Sequence, residues 1–381
     1  MINRKSAGIA GFGRTKRMKK ILILANSASG LYDFRNELLQ KLLESYEVHV
    51  SVPDEETVPQ LAQEGCKVHH TSIDRRGVNP VKDMGLLLSY WKLMRKVKPD
   101  VVLTYTIKPN IYGNLCCRLK RIPYIANITG LGSVFENGGL VQKLVVFLYK
   151  LSLKKASCIF FQNKKNQEIF EQYGILEGKN RLVPGSGVNL DRHSFEEYSS
   201  KEEKMIFLYV GRIMKEKGMD ELLYAAKMIS AEYPHAVFRL VGNYEDDYKD
   251  IVEHYEKDGI LELIGYQKEI HPYYKDAAAV LMPSYHEGMS NVILEASATG
   301  RPILASDIPG CREGFEDGIT GFGFPPRDKE ALVDAICRFI KLPYEEKVQM
   351  GRNARVKMER EFDRNQVVAA YMEEINAVSK S

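Results

Sequence analysis

One segment of the sequence, residues 282–310 (MPSYHEGMSNVILEASATGRPILASDIPG), constrains the fold more than any other part of this 381-residue chain. Its pattern predicts a buried strand over residues 279–282, a Pro-Ser-Tyr-His turn and a helix from about residue 291 to 298. A stop at Gly300 and a second buried strand over residues 303–305 follow. Strand, helix and strand in that order form one β-α-β unit, from which parallel sheets are built.

Two acidic residues and a helix start give this unit its chemistry. Glu287 lies in the loop before the predicted helix, and Glu295 lies within the helix. Between them, four residues place free backbone N–H groups where the helix begins: Gly288, Met289, Ser290 and Asn291. Such N–H groups and the positive end of the helix dipole bind anions. The pattern therefore suits a ligand with a phosphate in the middle and hydroxyl groups at both ends, namely a nucleotide sugar.

The run EGMSNVILEA, in which seven residues separate the two glutamates, resembles the signature of retaining, GT-B-fold bacterial glycosyltransferases. This large family (family 4, or group 1) includes enzymes of capsule, lipopolysaccharide and glycan assembly. The sequence is similar in particular to members that extend undecaprenyl-diphosphate-linked sugars. Either glutamate alone has an ordinary explanation as a helix acid, so the interpretation depends on the pair. The resemblance implies an α/β protein of the GT-B type, with two doubly wound Rossmann-like domains facing each other across a cleft.

Strand-like and helix-like segments alternate along both halves of the chain, which is typical of doubly wound parallel sheets. A first strand over residues 21–25 leads through a flexible turn into a helix expected from about residue 31 to 45. That turn contains one glycine, Gly30, rather than the three of a dinucleotide fingerprint, so no nicotinamide cofactor is predicted. We expect Gly30 to line the cleft opposite the donor.

The Pro- and Gly-rich stretch VPGSGV, residues 183–188, is typical of an interdomain hinge. We therefore predict an N-terminal acceptor-binding domain over residues 18–186 and a nucleotide-sugar-binding domain over residues 187–361. The resemblance implies that a last helix, within residues 362–381, crosses back to the first domain. Residues 1–17 carry five cations and no acid, and we expect them to be a disordered extension.

The resemblance also implies roles for individual residues of the second half. Arg212 and Lys217 match the Arg and Lys that neutralise the donor diphosphate in the family. Glu295 would accept hydrogen bonds from both ribose hydroxyls, and Glu287 would hold a hydroxyl of the transferred sugar. The Gly265-Tyr266 pair matches the place where the family holds the base through backbone groups. Glu287, Arg212 and Lys217 are the predicted catalytic residues.

Charge development explains why cations are needed. When the bond between the sugar and a nucleoside diphosphate breaks, negative charge grows on the leaving phosphate, and an enzyme must stabilise it most in the transition state. Two cations and a helix N-terminus suffice for this, so we predict neither a metal site nor a cofactor. Because no carboxylate is assigned as a nucleophile, the resemblance to retaining members implies front-side attack by the acceptor hydroxyl.

The first half departs from the family at one position. Many relatives have a His at the end of the fourth strand, where this sequence reads TYTIKPN, residues 104–110. Two interpretations of Lys108 stay open: it replaces that His electrostatically, as in the lipid-diphosphate-sugar subgroup, or it is a helix-start cation without a role. Arg75 and Arg76 are candidates to meet the acceptor diphosphate, because paired guanidinium groups suit phosphate oxygens.

Charge and composition indicate where the protein works. Residues 18–186 have 24 Lys and Arg against 15 Asp and Glu, whereas residues 187–381 have 25 against 35. Scattered cysteines and short apolar runs predict a cytoplasmic protein without a membrane span. The segments 86–98 and 139–155 are apolar and rich in cations. Their apolar faces are expected to pack on the first sheet and their cations to dock reversibly on an anionic membrane. No nucleic-acid module is recognised.

The predicted function is transfer of a sugar, with a UDP-hexose or UDP-N-acetylhexosamine as the expected donor. The acceptor is predicted to be a lipid-diphosphate-linked saccharide of surface polysaccharide or glycoconjugate synthesis. Two alternatives remain: a sugar-nucleotide epimerase of related fold, which needs no acceptor, and a nucleotide-binding scaffold that never turns over.

Overall fold

Two parallel β-sheets organise the part of the chain that the computed structural model describes, residues 17–53, 55–74, 79–131, 135, 139–198 and 204–380. The described strands of the first sheet are β1 Lys20–Leu24, β2 Glu47–Val52, β3 Lys67–His70, β4 Val101–Tyr105, β5 Tyr124–Ile128, β6 Cys158–Phe161 and β7 Asn180–Leu182. Those of the second are β8 Met205–Val210, β9 Ala236–Val241, β10 Leu261–Gly265, β11 Ala279–Met282, β12 Ile303–Ser306 and β13 Gly321–Phe324. The orders β3-β2-β1-β4-β5-β6-β7 and β10-β9-β8-β11-β12-β13 confirm two doubly wound sheets.

Helices connect the strands along the chain. Those of the first half are α1 Ala28–Leu43, α2 Val58–Gln63, α3 Pro80–Val97, α4 Asn114–Lys120, α5 Gly139–Leu153 and α6 Lys164–Gln172. Those of the second half are α7 Met219–Glu232, α8 Lys249–Lys257, α9 His271–Asp276, α10 Asn291–Ala298, α11 Lys329–Lys341, α12 Tyr344–Lys357 and α13 Arg364–Lys380. Inner strands such as β1 and β11 are apolar and buried throughout most of their length, as expected for parallel strands covered on both faces.

Helix α1 begins earlier than the sequence pattern predicts. Its first residue is Ala28 rather than Leu31, because Ser27 caps the helix by accepting a hydrogen bond from the Gly30 N–H at 3.0 Å. Gly30 therefore lies in the first helical turn and not in a flexible loop. The edge strands β7 and β13 are short, at three and four residues, and the apolar pattern does not predict them.

The C-terminal helix α13 packs against the first sheet. Val367, Tyr371 and Ile375 of this helix join the hydrophobic core around β1 and β2. At its start, the Arg364 guanidinium donates to both carboxylate oxygens of Glu37 on α1, each at 2.9 Å. The chain thus returns from the second sheet to the first, next to the predicted hinge. Of the predicted extension, residues 1–16 lie outside the described residues.

The outer faces of α3 and α5 expose apolar residues. Helix α5 buries Val145, Val146 and Tyr149 against the first domain, as predicted. Its opposite side, however, carries Leu140 and Phe147, which are 83% and 61% exposed. Helix α5 therefore packs on the first domain with one side only and carries exposed apolar residues on the other. No helix in the described part of the chain has both the length and the apolar composition needed to cross a membrane.

Candidate active site

A cleft with a cavity volume of about 810 Å³ separates the two sheets. Both halves of the chain contribute to its walls. Helix α1 and the loop after β2 form one wall, and the loops after β8, β9 and β10 form the other together with the start of α10. Because these loops follow the carboxyl ends of parallel strands, the cavity lies where doubly wound folds bind their ligands.

Helix α10 begins at the cavity with the bounds that the sequence predicts. Ser290 caps it, and its hydroxyl accepts a hydrogen bond from the Ile293 N–H at 3.4 Å. The Ser290 N–H donates to the Gly310 carbonyl at 2.8 Å, so this N–H is not free for an anion and that part of the prediction is wrong. Asn291 and Val292, in the first turn, line the cavity. The prediction of an anion site at this helix end therefore rests on the first turn itself.

Glu287 and Lys217 form an ion pair beside this helix. Lys217 Nζ lies 2.6 Å from Glu287 Oε1, and both side chains are mostly buried. Glycines allow the tight packing that places them: a Cβ on Gly218, at φ +74°, would collide with the Pro283 carbonyl, and one on Gly310 would meet the Glu287 carbonyl at 2.5 Å. The pairing keeps each charge compensated in the absence of a ligand.

Arg212 lies in the loop after β8, ahead of Lys217, and lines the cleft. Its guanidinium is paired with the Glu245 carboxylate, and its side chain is largely exposed. The Tyr209 hydroxyl holds the Arg212 carbonyl at 2.6 Å. An exposed guanidinium fork whose ion pair is screened by solvent can turn from a carboxylate to a phosphate, because both offer paired oxygens.

Glu295 lines the same cavity. Its Oε2 accepts a hydrogen bond from the Tyr274 hydroxyl at 3.0 Å. Burial raises the pKa of Glu295 from its ordinary 4.5 to about 7, while the Tyr274 hydrogen bond and nearby arginines oppose this rise. His193 Nε2 lies 4.0 Å from Glu295 Oε1, and burial lowers the His193 pKa to about 3, so this imidazole is neutral. A carboxylate held without a cation in contact remains available to accept hydrogen bonds from hydroxyl groups.

A smaller cavity of about 240 Å³ adjoins the cleft on the side of the first domain. Gly30, Thr106 and Gln162 line it from the first domain, and Gly288 and Met289 line it from the second. The two domains touch here: Asn163 Nδ2 donates to the Gly288 carbonyl at 2.5 Å, and a Cβ on Gly288 would collide with the Thr129 carbonyl. Only glycine at position 288 permits this approach of the two backbones.

The sequence matches two family profiles that lie side by side. The profile "Glycosyl transferase 4-like" matches residues 20–163, and the profile "Glycosyl transferases group 1" matches residues 191–357. Between them they cover most of the chain, including the loops and helix that line the cleft. The chain is a glycosyltransferase, and its second half matches the group 1 family.

Two relatives are similar to this chain over more than two thirds of its length. A Campylobacter jejuni enzyme described as N,N'-diacetylbacillosaminyl-diphospho-undecaprenol alpha-1,3-N-acetylgalactosaminyltransferase is 26% identical over 381 residues, which is 95% of this chain and 100% of that protein. The Escherichia coli UDP-Gal:alpha-D-GlcNAc-diphosphoundecaprenol alpha-1,3-galactosyltransferase is 29% identical over 283 residues, 69% of this chain and 72% of that one. The structure of Anabaena HepE in complex with UDP and glucose has a TM-score of 0.78 at 17% identity and covers 94% of this chain and 100% of that chain, which shows a shared fold.

The structure divides the predicted donor-side residues of this glycosyltransferase between the two cavities, and neither Lys217 nor Glu287 is among the residues that line them. Arg212, Tyr266, Asn291 and Glu295 line the larger cavity. Gly265, at the end of β10, has a positive φ of 74° and accepts a hydrogen bond from the Gly242 N–H at 3.0 Å. The roles of these residues in binding a nucleotide sugar remain predictions, which their shared location makes testable.

The predicted acceptor residues are less supported. Lys108 Nζ lies 2.8 Å from Asp83 Oδ1 in a largely buried ion pair with α3, and Lys108 is not among the residues that line either cavity. This position fits the helix-start interpretation better than a substitute for the family His, because the charge already has a partner. Arg75 and Arg76 lie outside the described residues.

Sequence reasoning missed the residues that surround Glu295. Tyr274 on α9, His193 after the hinge and Arg364 at the start of α13 come from three distant parts of the chain. A pattern within one helix gives no signal for such partners, since only the tertiary fold brings them together. Among the described residues, no group of three or more His, Cys, Asp and Glu side chains is arranged to hold a metal ion.

Proposed function

We propose that this glycosyltransferase moves a sugar from a UDP-sugar to a saccharide carried on a lipid diphosphate. The observation that carries the proposal is the larger cavity, which Arg212, Asn291 and Glu295 line together. The Lys217–Glu287 ion pair joins the loop after Arg212 to the loop before Asn291. These groups suit a ligand that has ribose hydroxyls, a diphosphate and a sugar. The Campylobacter and E. coli relatives support the choice of acceptor, since their names state diphospho-undecaprenol substrates.

In this proposal, charge on the leaving phosphate determines the mechanism. Lys217, Arg212 and the N–H groups of the first turn of α10 stabilise the phosphate as the bond to the sugar lengthens. Their combined positive charge replaces a divalent cation. No carboxylate is assigned to attack the anomeric carbon, so the acceptor hydroxyl attacks from the face that the phosphate leaves, and the product keeps the anomeric configuration of the donor. The phosphate oxygen receives the proton of that hydroxyl.

Glu287 and Glu295 have separate roles here. Glu295 holds both ribose hydroxyls, and it does so as a carboxylate, since a protonated carboxyl has fewer acceptor sites. Glu287 orients Lys217 through the 2.6 Å ion pair and holds a hydroxyl of the transferred sugar with its other oxygen. Gly265 and Tyr266 hold the base at the end of β10.

The outer side of α5 supports a membrane location for the reaction. Leu140, Leu144, Phe147 and Leu151 follow one another at helical spacing and are exposed. Lys143, Lys150 and Lys154 are exposed on the same helix or directly after it. Apolar residues flanked by cations suit a helix that lies in the surface of an anionic leaflet, where each cation contributes about 1 kcal/mol. We propose reversible docking on the inner face of the cytoplasmic membrane through this helix.

A donor panel tests the proposal. The protein is incubated with UDP-hexoses and UDP-N-acetylhexosamines, with and without a lipid-diphosphate-linked saccharide and with excess EDTA, and UDP release is measured. The proposal expects UDP only when donor and acceptor are both present, with EDTA making no difference. Conversion of the donor without acceptor would favour an epimerase, and UDP binding without any turnover would favour a scaffold.

A further inference from the structure

Arg35 is a buried charge that the proposed function leaves unexplained. It lies on α1, and its side chain is only 6% exposed. Among the residues that the structure describes, no carboxylate forms an ion pair with it. Two acids lie two residues from Arg35 on the same helix: Asp33 forms no ion pair with it, and Glu37 is taken up by Arg364, which donates to both of its oxygens. A buried cation without an acidic partner is costly, so proteins keep one where something else compensates it.

The contacts of Arg35 within the protein are neutral. Its Nη1 donates to the Phe34 carbonyl at 3.2 Å. The Gln162 amide is oriented so that its nitrogen and its oxygen both form hydrogen bonds. In this orientation the amide oxygen accepts a hydrogen bond from Arg35 Nη2 at 2.7 Å. The rings of Tyr105 and Tyr371 lie near the guanidinium, with centroids 5.5 and 5.8 Å from its central carbon. These contacts hold the fork in one orientation and leave its positive charge without a counter-ion.

The fork lies at the wall of the smaller cavity. Arg35, Gln162 and Thr106 all line this volume of about 240 Å³, together with Met289 and Asn291 at the start of α10. The smaller cavity is thus located between the first domain and the end of α10 that the proposed function assigns to phosphate. Its walls contain a fixed cation, Arg35, and the N-terminus of a helix.

Thr106 gives a second, independent indication of a ligand in this cavity. Its φ is +72°, a conformation that a β-branched residue rarely adopts and that costs energy. Its hydroxyl is buried and has no hydrogen-bond partner among the residues that the structure describes. Backbone strain and an unsatisfied hydroxyl at one lining residue are features that persist at ligand sites, where a bound group supplies the missing contact.

We infer that Arg35 binds a phosphate oxyanion of a diphosphate substrate in the smaller cavity. The inference rests on the proposed function, in which the nucleotide-sugar donor and the lipid-linked acceptor both carry a diphosphate. Arg35 thereby adds a cation from the first domain to Arg212 and Lys217 of the second. A diphosphate that contacts both domains also holds them together across the cleft.

Binding measurements on Arg35→Met test the inference. Methionine fills the space between the two rings, and an apolar replacement of a buried charge is often neutral for stability. Lys41→Gln, on the exposed side of α1, is the matched control. Calorimetry with UDP tests the donor as the source of the phosphate. Binding of a short polyprenyl-diphosphate monosaccharide, compared with the octyl glycoside of the same sugar, tests the acceptor.

The expected result is a loss of affinity of about tenfold to a hundredfold for one diphosphate probe, with the octyl glycoside and the control variant unchanged. Arg35→Lys should recover part of that loss, because it restores the charge without the fork. Unchanged affinity of Arg35→Met for both diphosphates would overturn the inference. So would failure of Arg35→Met to fold, since the guanidinium would then be a structural part of the free protein. Both probes measure binding and not sugar transfer. A wild-type protein that transfers no sugar would refute the proposed function, and the binding role of Arg35 could still be tested.

Discussion

Replacing Glu295 with Gln is expected to stabilise the free protein while weakening nucleotide binding. Burial raises the pKa of Glu295 from 4.5 to about 7. Between these values the folded protein keeps a proton that the unfolded chain has lost, so this residue makes the folded state less stable as pH rises. At about 1.4 kcal/mol for each pH unit, the cost above pH 7 is about 3 kcal/mol. The side chain is 18% exposed, so solvent screens little of this cost.

The Gln variant removes the ionisation and keeps the contact, because its amide oxygen can still accept from the Tyr274 hydroxyl. We expect the melting temperature of Glu295→Gln to exceed that of the wild type by about 6 to 12 °C at pH 8 and to equal it at pH 5. Scanning calorimetry at the two pH values measures this directly. Glu262→Gln is the control: ion pairs with Lys204 and Arg239 lower the Glu262 pKa against the effect of burial, so that variant should lose stability at pH 8. A Glu295→Gln protein no more stable than the wild type at pH 8 would refute the reasoning.

Three further predictions concern binding, catalysis and location. Glu295→Gln should weaken UDP binding in calorimetry, whereas Glu287→Gln should leave UDP binding nearly intact and lower sugar transfer. An equal loss of UDP affinity in both variants would contradict the separate roles of the two glutamates. Lys217→Ala should lower kcat by about a hundredfold to a thousandfold and affinity by less, because phosphate charge grows toward the transition state; a change in KM alone would argue against it. Phe147→Ser should weaken cosedimentation with anionic vesicles about tenfold, and Ile251→Ser, at another exposed apolar residue, should not. Vesicle binding that does not change with salt or lipid charge would contradict docking on the membrane.

The architecture and the central residues of the site could be predicted from the sequence, because both depend on local signals. The bounds of α10 follow from an apolar run that begins after Ser290 and stops at Gly300. Alternation of buried strands and amphipathic helices is enough to predict two doubly wound sheets. Glu287 and Glu295 are recognisable because their spacing is fixed within one β-α-β unit.

Features that depend on long-range packing could not be predicted in this way. The Glu245 partner of Arg212 and the Tyr274 partner of Glu295 lie in other loops or helices, and only the fold brings them close. Ser290 looks like a free anion donor until the Gly310 carbonyl is seen to accept its N–H. The exposed outer side of α5 is equally invisible in a sequence pattern, because an apolar residue such as Phe147 is by default assigned to a core.

Product analysis with a lipid-linked acceptor tests the central claim most directly. The wild-type protein and Lys217→Ala are each incubated with a UDP-sugar and a polyprenyl-diphosphate monosaccharide, and the product is examined by mass spectrometry and by NMR of the new anomeric proton. The account predicts a disaccharide on the intact lipid diphosphate, with the anomeric configuration of the donor retained, and little of it from the variant. An inverted linkage would contradict the proposed mechanism, and a donor consumed while the lipid-linked acceptor stays unextended would contradict the proposed function.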